Sequence, residues 1–530
     1  MKIKVLKIIL LLTVLILYSC KSVKKYNAQI SKNHSPGELR EDVDYAYNKL
    51  KKLHPNLYQY ISKEKLDSKF NNLKTELTEP LSSLEFYKKL APVIASIRQG
   101  HTSLKSPHRL QTKKERKKKG IRKGLFRTLK FNTLNDKIYI EKGYGKDSLI
   151  NKGIELIKIE GKDVVNLVAS YQNLDIGDGY NTTFLPEFTR KNIGSYYTKT
   201  NFLKDSIQIT LKEKDSVFTN YLFAFEKNEN KNKKDKKDKK SIKEKNKKLT
   251  KSEKKQANKK RKERLKWNYK HDYNKFTKEV VRDFKFIKNE DENDVAYVKI
   301  TNFTDGGYKE FYDEVFKKID SLKSSNLIID LRDNTGGSLR EIAYFYSYMT
   351  DKKYQFIKPA KMVKGRRWLY PKTHSRSPIM KTLSYVFFPV LKTIQLLKVK
   401  KENGIPYFTF KSSKIQPPKE EYNYKGKIYV LINGVSFSAS CILSTNLQAN
   451  KRAYFVGDET GGAYNSTVAG NFANVPLPNS KENLRIGIML IETPYKVVPD
   501  GYGIKPDKYI PITTLERDEQ LDWILKDISK

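Results

Sequence analysis

The chain of 530 residues has a formal net charge of +46, with 38% apolar and 12% aromatic residues. This length exceeds one hydrophobic core and predicts roughly two to four domains. The apolar and aromatic content excludes a wholly disordered chain. Nucleic-acid binding is disfavoured, because much of the charge lies in a Lys-rich stretch, 227–266, without interleaved aromatic residues. A solvated loop explains that stretch best, contact with an anionic membrane surface second and nucleic acid third.

The N-terminus has the pattern of an export signal. Lysines precede an apolar run over residues 8–17, which is too short to span a bilayer as a helix. The tetrapeptide Leu17-Tyr18-Ser19-Cys20 then resembles the bacterial lipobox. The sequence therefore predicts a lipoprotein signal peptide (1–19), a lipid-modified Cys20, a tether (20–37) and a location at the cell envelope. The alternative is an ordinary cleaved signal peptide. The chain has two cysteines, so a lipidated Cys20 leaves no internal disulfide.

The elements that follow change type along the chain. Apolar stripes at helical spacing predict an N-terminal helical domain over residues 38–110. Short strands predict a β-rich domain over 124–226, in which residues 152–164 resemble part of a PDZ domain. The Lys-rich insertion, 227–270, is expected to be disordered or a frayed helix. Alternating buried strands and helices predict an α/β core over 271–515, and residues 516–530 are expected to form a C-terminal helix.

Two strand-to-helix turns are candidates for chemistry. A mostly apolar strand, 327–332, leads into Gly336 and Gly337, whose backbone N–H groups suit an anion pocket at a helix N-terminus. A second buried strand, 429–432, leads through a Ser-rich turn into another helix. Ser438 is the better nucleophile there, because Ser440 fits the helix N-cap.

Two further side chains bear on catalysis. His101 follows Gly100 in a turn after the helical region, where an imidazole could serve as a general base. Cys441 directly follows the Ser-rich turn and could be mistaken for a nucleophile. At a helix start on the strand side, it is interpreted as a buried small residue.

Together these segments resemble the C-terminal-processing, tail-specific and tricorn-core serine peptidases. The resemblance covers residues 39–512 and is carried by five patches in family order: Gly100-His101-Thr102, Ile329-Asp330-Leu331-Arg332 with Gly336-Gly337, Ser438-Ala439-Ser440, Val456-Gly457-Asp458-Glu459-Thr460-Gly461-Gly462 and Gly503-Ile504-Lys505-Pro506-Asp507. It implies a ClpP/crotonase-like α/β core with an N-terminal helical domain and a PDZ-like β-rich insertion. It also implies peptide-bond hydrolysis without a metal or cofactor.

The family offers two catalytic solutions. The Ser–Lys solution is disfavoured, because Ala463 occupies the matching lysine position and nothing in the pattern nominates the nearby Lys451. The tricorn-like solution matches Ser438 and His101, with Asp500 at the acidic position and Glu492 as the alternative.

In that solution Ala439 and either Gly336 or Gly337 would form the oxyanion hole. The predicted substrates are peptides or unfolded protein ends at the envelope. The competing hypothesis is a catalytically inactive peptide-binding lipoprotein of the same fold.

Overall fold

The computed structural model describes residues 23–144, 150–225, 250–291, 293–363, 393 and 396–530. The predicted signal peptide and Cys20 lie outside these residues, as does most of the first half of the Lys-rich insertion. In the described part of the chain, no helix is both long and apolar enough to cross a membrane.

The N-terminal region is helical, as its apolar stripes predict. Its helices are α1 Val23–Ser31, α2 Pro36–Leu53, α3 Lys63–Glu76, α4 Ser83–Ala95 and α5 Lys113–Lys119. Three of them begin with capping boxes, Ser35 with Glu38, Ser82 with Glu85 and Thr112 with Glu115, which satisfy free N–H groups of a helix start. Short strands β1 Asn33–His34 and β2 Leu81–Ser82 pair beside these starts. Strand β3 Ser103–Lys105 lies between α4 and α5.

The β-rich region forms a six-stranded sheet. Its strands are β4 Leu129–Leu134, β5 Lys137–Gly143, β6 Glu155–Ile159, β7 Lys162–Asp163, β8 Ser206–Glu213 and β9 Ser216–Phe223. Three helices separate β7 from β8: α6 Val164–Tyr171, α7 Phe184–Lys191 and α8 Ile193–Thr200. The PDZ-like character of this region remains a prediction.

The second half of the Lys-rich insertion forms a helix, which is one of the two predicted alternatives. Helix α9 spans Lys251–His271 and begins with a capping box of Thr250 and Glu253. At its other end, the Tyr269 carbonyl accepts the Gly307 N–H and Lys270 pairs with Glu314. Lys, Arg and Glu favour helix, and packing of the last turn onto the core supplies the tertiary contact.

The α/β core contains a mainly parallel sheet and an antiparallel sheet. Its strands are β10 Arg282–Lys288, β11 Asp294–Ile300, β12 Asn326–Asp330, β13 Ala360–Met362, β14 Val399–Glu402, β15 Ile405–Phe408, β16 Lys427–Ile432, β17 Tyr454–Gly457, β18 Ser466–Pro476, β19 Asn483–Glu492 and β20 Lys508–Tyr509. Its helices are α10 Tyr308–Ser321, α11 Leu339–Ser347, α12 Ala439–Ala449 and α13 Glu519–Ile528.

The parallel sheet positions the candidate turns. Its order is β10-β11-β12-β16-β17-β20, with every pair after β10-β11 parallel. The adjacent strands β12 and β16 therefore end at the same edge, where both strand-to-helix turns begin. The predicted mixed α/β fold is confirmed.

The antiparallel sheet brings in the segment that carries His101. Its order is β14-β15-β13-β19-β18, and β3 pairs with β19 beyond that path. In this pairing Ser103, two residues after His101, lies opposite Arg485. The N-terminal region thus reaches the edge of the core.

The patch Asp330-Leu331-Arg332 is structural. The Arg332 guanidinium donates to Asp330 and, through two nitrogens, to Asp518 at the start of α13. The same guanidinium, opposing the effect of burial, holds the pKa of the Asp330 carboxyl well below its usual range. These bonds fasten the C-terminal helix over the sheet face.

Candidate active site

Ser438 lies at a strained turn between β16 and α12. Its backbone has φ +58° and ψ −112°, a conformation that costs a non-glycine residue roughly 1–3 kcal/mol. Ser438 occupies the N-cap position, yet its side chain makes no capping hydrogen bond. Its hydroxyl is therefore left for another partner at the positive end of the helix.

Ser440 has a different role from the predicted one. It is the second residue inside α12 and not the N-cap, because the helix begins two residues earlier than predicted. Its buried hydroxyl donates to the Asn334 carbonyl at 2.9 Å. That bond ties the serine turn to the glycine turn of the neighbouring strand.

The partner of the Ser438 hydroxyl is His101. The distance from His101 Nε2 to Ser438 Oγ is 2.9 Å. The imidazole packs between the rings of Phe437 and Phe472, at centroid distances of 5.2 and 5.6 Å. Burial, with the charge of Arg485 adding to it, lowers the pKa of His101 to about 3. The imidazole is therefore neutral near pH 7 and can accept a hydroxyl proton.

The glycine turn lies directly against Ser438. A Cβ at Gly336 would stand 2.7 Å from the Ala439 nitrogen and 2.8 Å from Ser438 Cβ, and the residue has φ +102°. Only glycine allows this approach. The Gly336 N–H is already used, because it donates to Asn334 Oδ1 at 2.9 Å.

Two other N–H groups remain for an anion. Among the described residues, neither the Gly337 N–H nor the Ala439 N–H has a hydrogen-bond acceptor. Both residues line a cleft of ≈ 950 Å³, into which Ser438 and His101 also open. Of the two glycines predicted for the oxyanion hole, the free donor belongs to Gly337.

The model of peptidase family S41 matches residues 294–510. The chain contains a peptidase family S41 domain. Because S41 peptidases are serine-type hydrolases, the S41 domain makes this chain an enzyme of that class.

Two solved structures share the fold over most of the chain. Mature CPAF aligns with a TM-score of 0.56 at 14% identity, over 90% of this chain and 93% of its own. Mature CPAF complexed with lactacystin gives 0.57 at 14% identity, over 93% and 97%. The photosystem II D1 C-terminal processing protease gives 0.40 at 12% identity, over 92% and 97%. No curated protein matches the chain at a significant level.

The predicted acidic residue, Asp500, does not hydrogen-bond to His101. The exposed Asp500 accepts hydrogen bonds from Gln59 Nε2 at 2.9 Å and from the Gly501 N–H at 2.7 Å. The alternative, Glu492, pairs with Lys496. Among the described residues, the His101 ring hydrogen-bonds to Ser438 alone. A triad through Asp500 is thus not formed, since Gln59 from the N-terminal region takes its carboxylate.

Asp178 is a buried carboxylate that the sequence analysis missed. Its Oδ1 accepts the Gly100 N–H at 2.8 Å and so holds the turn that carries His101. Its Oδ2 has no hydrogen-bond partner among the described residues and faces a cavity of ≈ 10 Å³ that Ser438 and Thr467 also line. Burial raises the pKa of Asp178 to about 6. Flanking glycines in Gly177-Asp178-Gly179 were the available signal.

The remaining side chains near the serine are not suited to nucleophilic or general-base roles. Cys441 is buried, as predicted, and burial raises the pKa of its thiol to about 12. Ala463 is buried at the position where the other branch of the family has lysine. Lys451 is exposed beyond the far end of α12, and Ser438 precedes the other end of this helix, which is about 16 Å long by helical rise.

Proposed function

We propose that this chain hydrolyses peptide bonds with Ser438 of the S41 domain as nucleophile and His101 of the N-terminal region as general base. The observation that carries this proposal is the 2.9 Å distance between Ser438 Oγ and the nitrogen of a neutral imidazole. Supporting it are the uncapped hydroxyl at a helix N-terminus and the free N–H groups of Gly337 and Ala439.

The chemistry follows from those positions. Ser438 Oγ attacks the peptide carbonyl carbon while its proton passes to His101 Nε2. The carbonyl oxygen becomes an oxyanion, which accepts hydrogen bonds from Gly337 and Ala439. The carbon–nitrogen bond then breaks as His101 returns the proton to the leaving amine. Water, deprotonated by His101, attacks the acyl carbon. The ester bond to Ser438 Oγ then breaks as His101 returns the proton to that oxygen, which releases the new carboxylate.

Covalent labelling tests this assignment. An uncharged fluorophosphonate should label the wild-type protein once, and intact-protein mass spectrometry should place the adduct on Ser438. Ser438→Ala should remove labelling and peptide cleavage, while Cys441→Ala should retain both. Labelling that survives in Ser438→Ala would assign the nucleophile to another residue.

A second function is favoured by one observation. No carboxylate of the described residues hydrogen-bonds to the His101 ring, and this favours peptide binding without cleavage as the second candidate. This alternative predicts peptide binding of similar affinity in the wild type and Ser438→Ala, with no fluorophosphonate adduct in either. A wild-type adduct together with turnover of any peptide would exclude it.

We also propose that the enzyme acts at the cell envelope, held by lipid on Cys20. The support is the lipobox-like tetrapeptide after a short apolar run. In a bacterial host, metabolic labelling with an alkyne fatty acid should mark the wild type and miss Cys20→Ser. Equal labelling of both, or a soluble wild-type protein, would contradict the anchor.

A further inference from the structure

Arg485 projects into the cleft beside the general base. It lies on β19, and its guanidinium carbon stands 3.7 Å from the centre of the Phe472 ring. The same ring packs against His101 at 5.6 Å. Arg485, Phe472 and His101 all line the cleft that contains Ser438. One aromatic ring therefore separates a cation from the imidazole.

The charge of Arg485 is not neutralised within the protein. Among the described residues, its guanidinium has neither a hydrogen bond nor an ion pair. The acidic group that influences it is the partly buried Asp175, which already has Lys199 at 3.8 Å and the Tyr196 hydroxyl at 3.3 Å. Lys105, on the strand paired with β19, adds a further positive charge nearby. A planar five-donor group that stays partly buried and unpaired is suited to a ligand carboxylate.

The other charged side chains that line the cleft are also mostly positive. Among the described lining residues, Asp305 is the one acidic side chain, against five basic ones: Lys309, Arg340, Lys398, Lys411 and Arg485. Arg340 already pairs with Asp305 at 2.8 Å. The cleft therefore attracts anionic peptide over basic peptide.

We propose that Arg485 binds a carboxylate of the substrate next to the scissile bond, so that the enzyme selects peptides with an acidic group at that position. This inference rests on the proposed hydrolysis. The carboxylate belongs either to an acidic side chain or to the free C-terminus of the peptide. Both would form the same bidentate hydrogen bonds with the guanidinium.

The bound carboxylate would also assist catalysis. Proton transfer from Ser438 makes His101 an imidazolium, which the positive Arg485 opposes and which no protein carboxylate in contact stabilises. A substrate carboxylate on Arg485 offsets that charge when the imidazolium forms. Its removal should therefore lower kcat as well as raise KM.

Matched peptides test the carboxylate and its source. One arm compares Glu with Gln at each of the three positions on either side of the scissile bond. The other arm compares free with amidated C-termini at fixed sequence. We expect one arm to show about a 10- to 100-fold higher kcat/KM for the charged member, with part of the change in kcat. Equal rates for charged and neutral members in both arms would overturn the proposal.

Variants assign the effect to this residue. Arg485→Gln should abolish the preference, while Arg517→Gln, which removes the same charge at a site 71% exposed beside α13, should retain it. Fluorophosphonate labelling of Arg485→Gln reports that the fold and nucleophile are intact. An undiminished preference in a labelled Arg485→Gln protein would refute the assignment.

A binding measurement separates this inference from the proposed hydrolysis. Dye-labelled Glu and Gln peptides are titrated into Ser438→Ala and into the double variant that adds Arg485→Gln. Tighter binding of the charged peptide only when Arg485 is present supports carboxylate recognition even if no peptide is cleaved. Equal affinities of the two peptides for Ser438→Ala would count against it, even where the wild type cleaves both.

Discussion

The two turns that meet at the candidate site are held in different ways. The serine turn is fastened inside the core: the Ser436 hydroxyl donates to the Leu331 carbonyl, and the Asn334 carbonyl accepts both the Phe437 N–H and the Ser440 hydroxyl. The histidine turn is fastened from outside the parallel sheet. Its Gly100 N–H donates to Asp178, and the neighbouring Gln99 donates to Gln59.

The nucleophile and the general base of the proposed mechanism are therefore positioned by different contacts. The nucleophile and oxyanion donors come from adjacent parallel strands, so core folding sets their geometry. The general base depends on contacts between regions distant in sequence, including the N-terminal helices and the segment around Asp178. Substitutions in the serine and glycine turns should therefore lower kcat most. Substitutions around His101 should lower kcat by smaller amounts.

The largest effect is expected from Gly336→Ala. The new Cβ would stand 2.7 Å from the Ala439 nitrogen and force the two turns apart. We expect kcat to fall about 10²- to 10³-fold, the loss typical of a missing oxyanion donor. Gly404→Ala is the matched control, because Gly404 also has a positive φ but has nothing within 4 Å of an added Cβ. Near-normal turnover in a folded Gly336→Ala protein would show that the glycine turn does not form the anion pocket.

A smaller effect is expected from Asp178→Ala. Loss of the acceptor for the Gly100 N–H should loosen the base and lower kcat about 10- to 100-fold with KM little changed. Asp178→Asn should restore most of the rate, because the amide oxygen can still accept that N–H. Steady-state kinetics of the pair would contradict a positioning role if Asn were as impaired as Ala.

A still smaller effect is expected from Asp500→Asn. The Asp500 carboxylate contacts Gln59 and Gly501 instead of His101, so we expect less than about a tenfold loss of kcat. Removing the acid of a true triad lowers kcat about 10⁴-fold. A loss of that size would mean that the histidine turn rearranges on binding substrate to reach Asp500.

The smallest change is expected when pH is varied. The His101 pKa is lowered to about 3, so the base is neutral above that value and protonated below it. The fluorophosphonate labelling rate should then stay level as pH falls from about 8 to 5, since an ordinary histidine would already lose activity below about 6.5. In Arg485→Gln, the acid limb of the profile should move to higher pH. A wild-type midpoint near 6.5 would place His101 in a more solvated setting.

The residues that could be predicted from sequence share one property: their position follows from where a strand ends. Ser438, Ala439 and the glycine pair all follow buried strands that the apolar pattern reveals, and parallel pairing then brings them together. His101 was located by its turn and by the family resemblance. The α/β core and the helical N-terminus followed from hydrophobic periodicity in the same way.

The residues that were missed depend on side-chain direction. The pattern could not show that the Asn334 amide oxygen accepts the Gly336 N–H or that the Asp500 carboxylate accepts a hydrogen bond from Gln59. Asp178 was missed, because its flanking glycines do not reveal that it supports a turn 78 residues away. The capping box of Thr250 and Glu253 was readable in the sequence, yet composition alone left disorder and a frayed helix as open alternatives for the segment of α9.

The backbone conformation of Ser438 favours glycine over serine at this position. At φ +58° and ψ −112° a glycine would fold with less strain, so Ser438→Gly should raise the thermal midpoint while removing the nucleophile. A chain required only to fold and hold peptides would gain stability from that exchange. The hydroxyl is thus retained against a standing thermodynamic disadvantage, which is the trade-off expected of a group kept for reactivity.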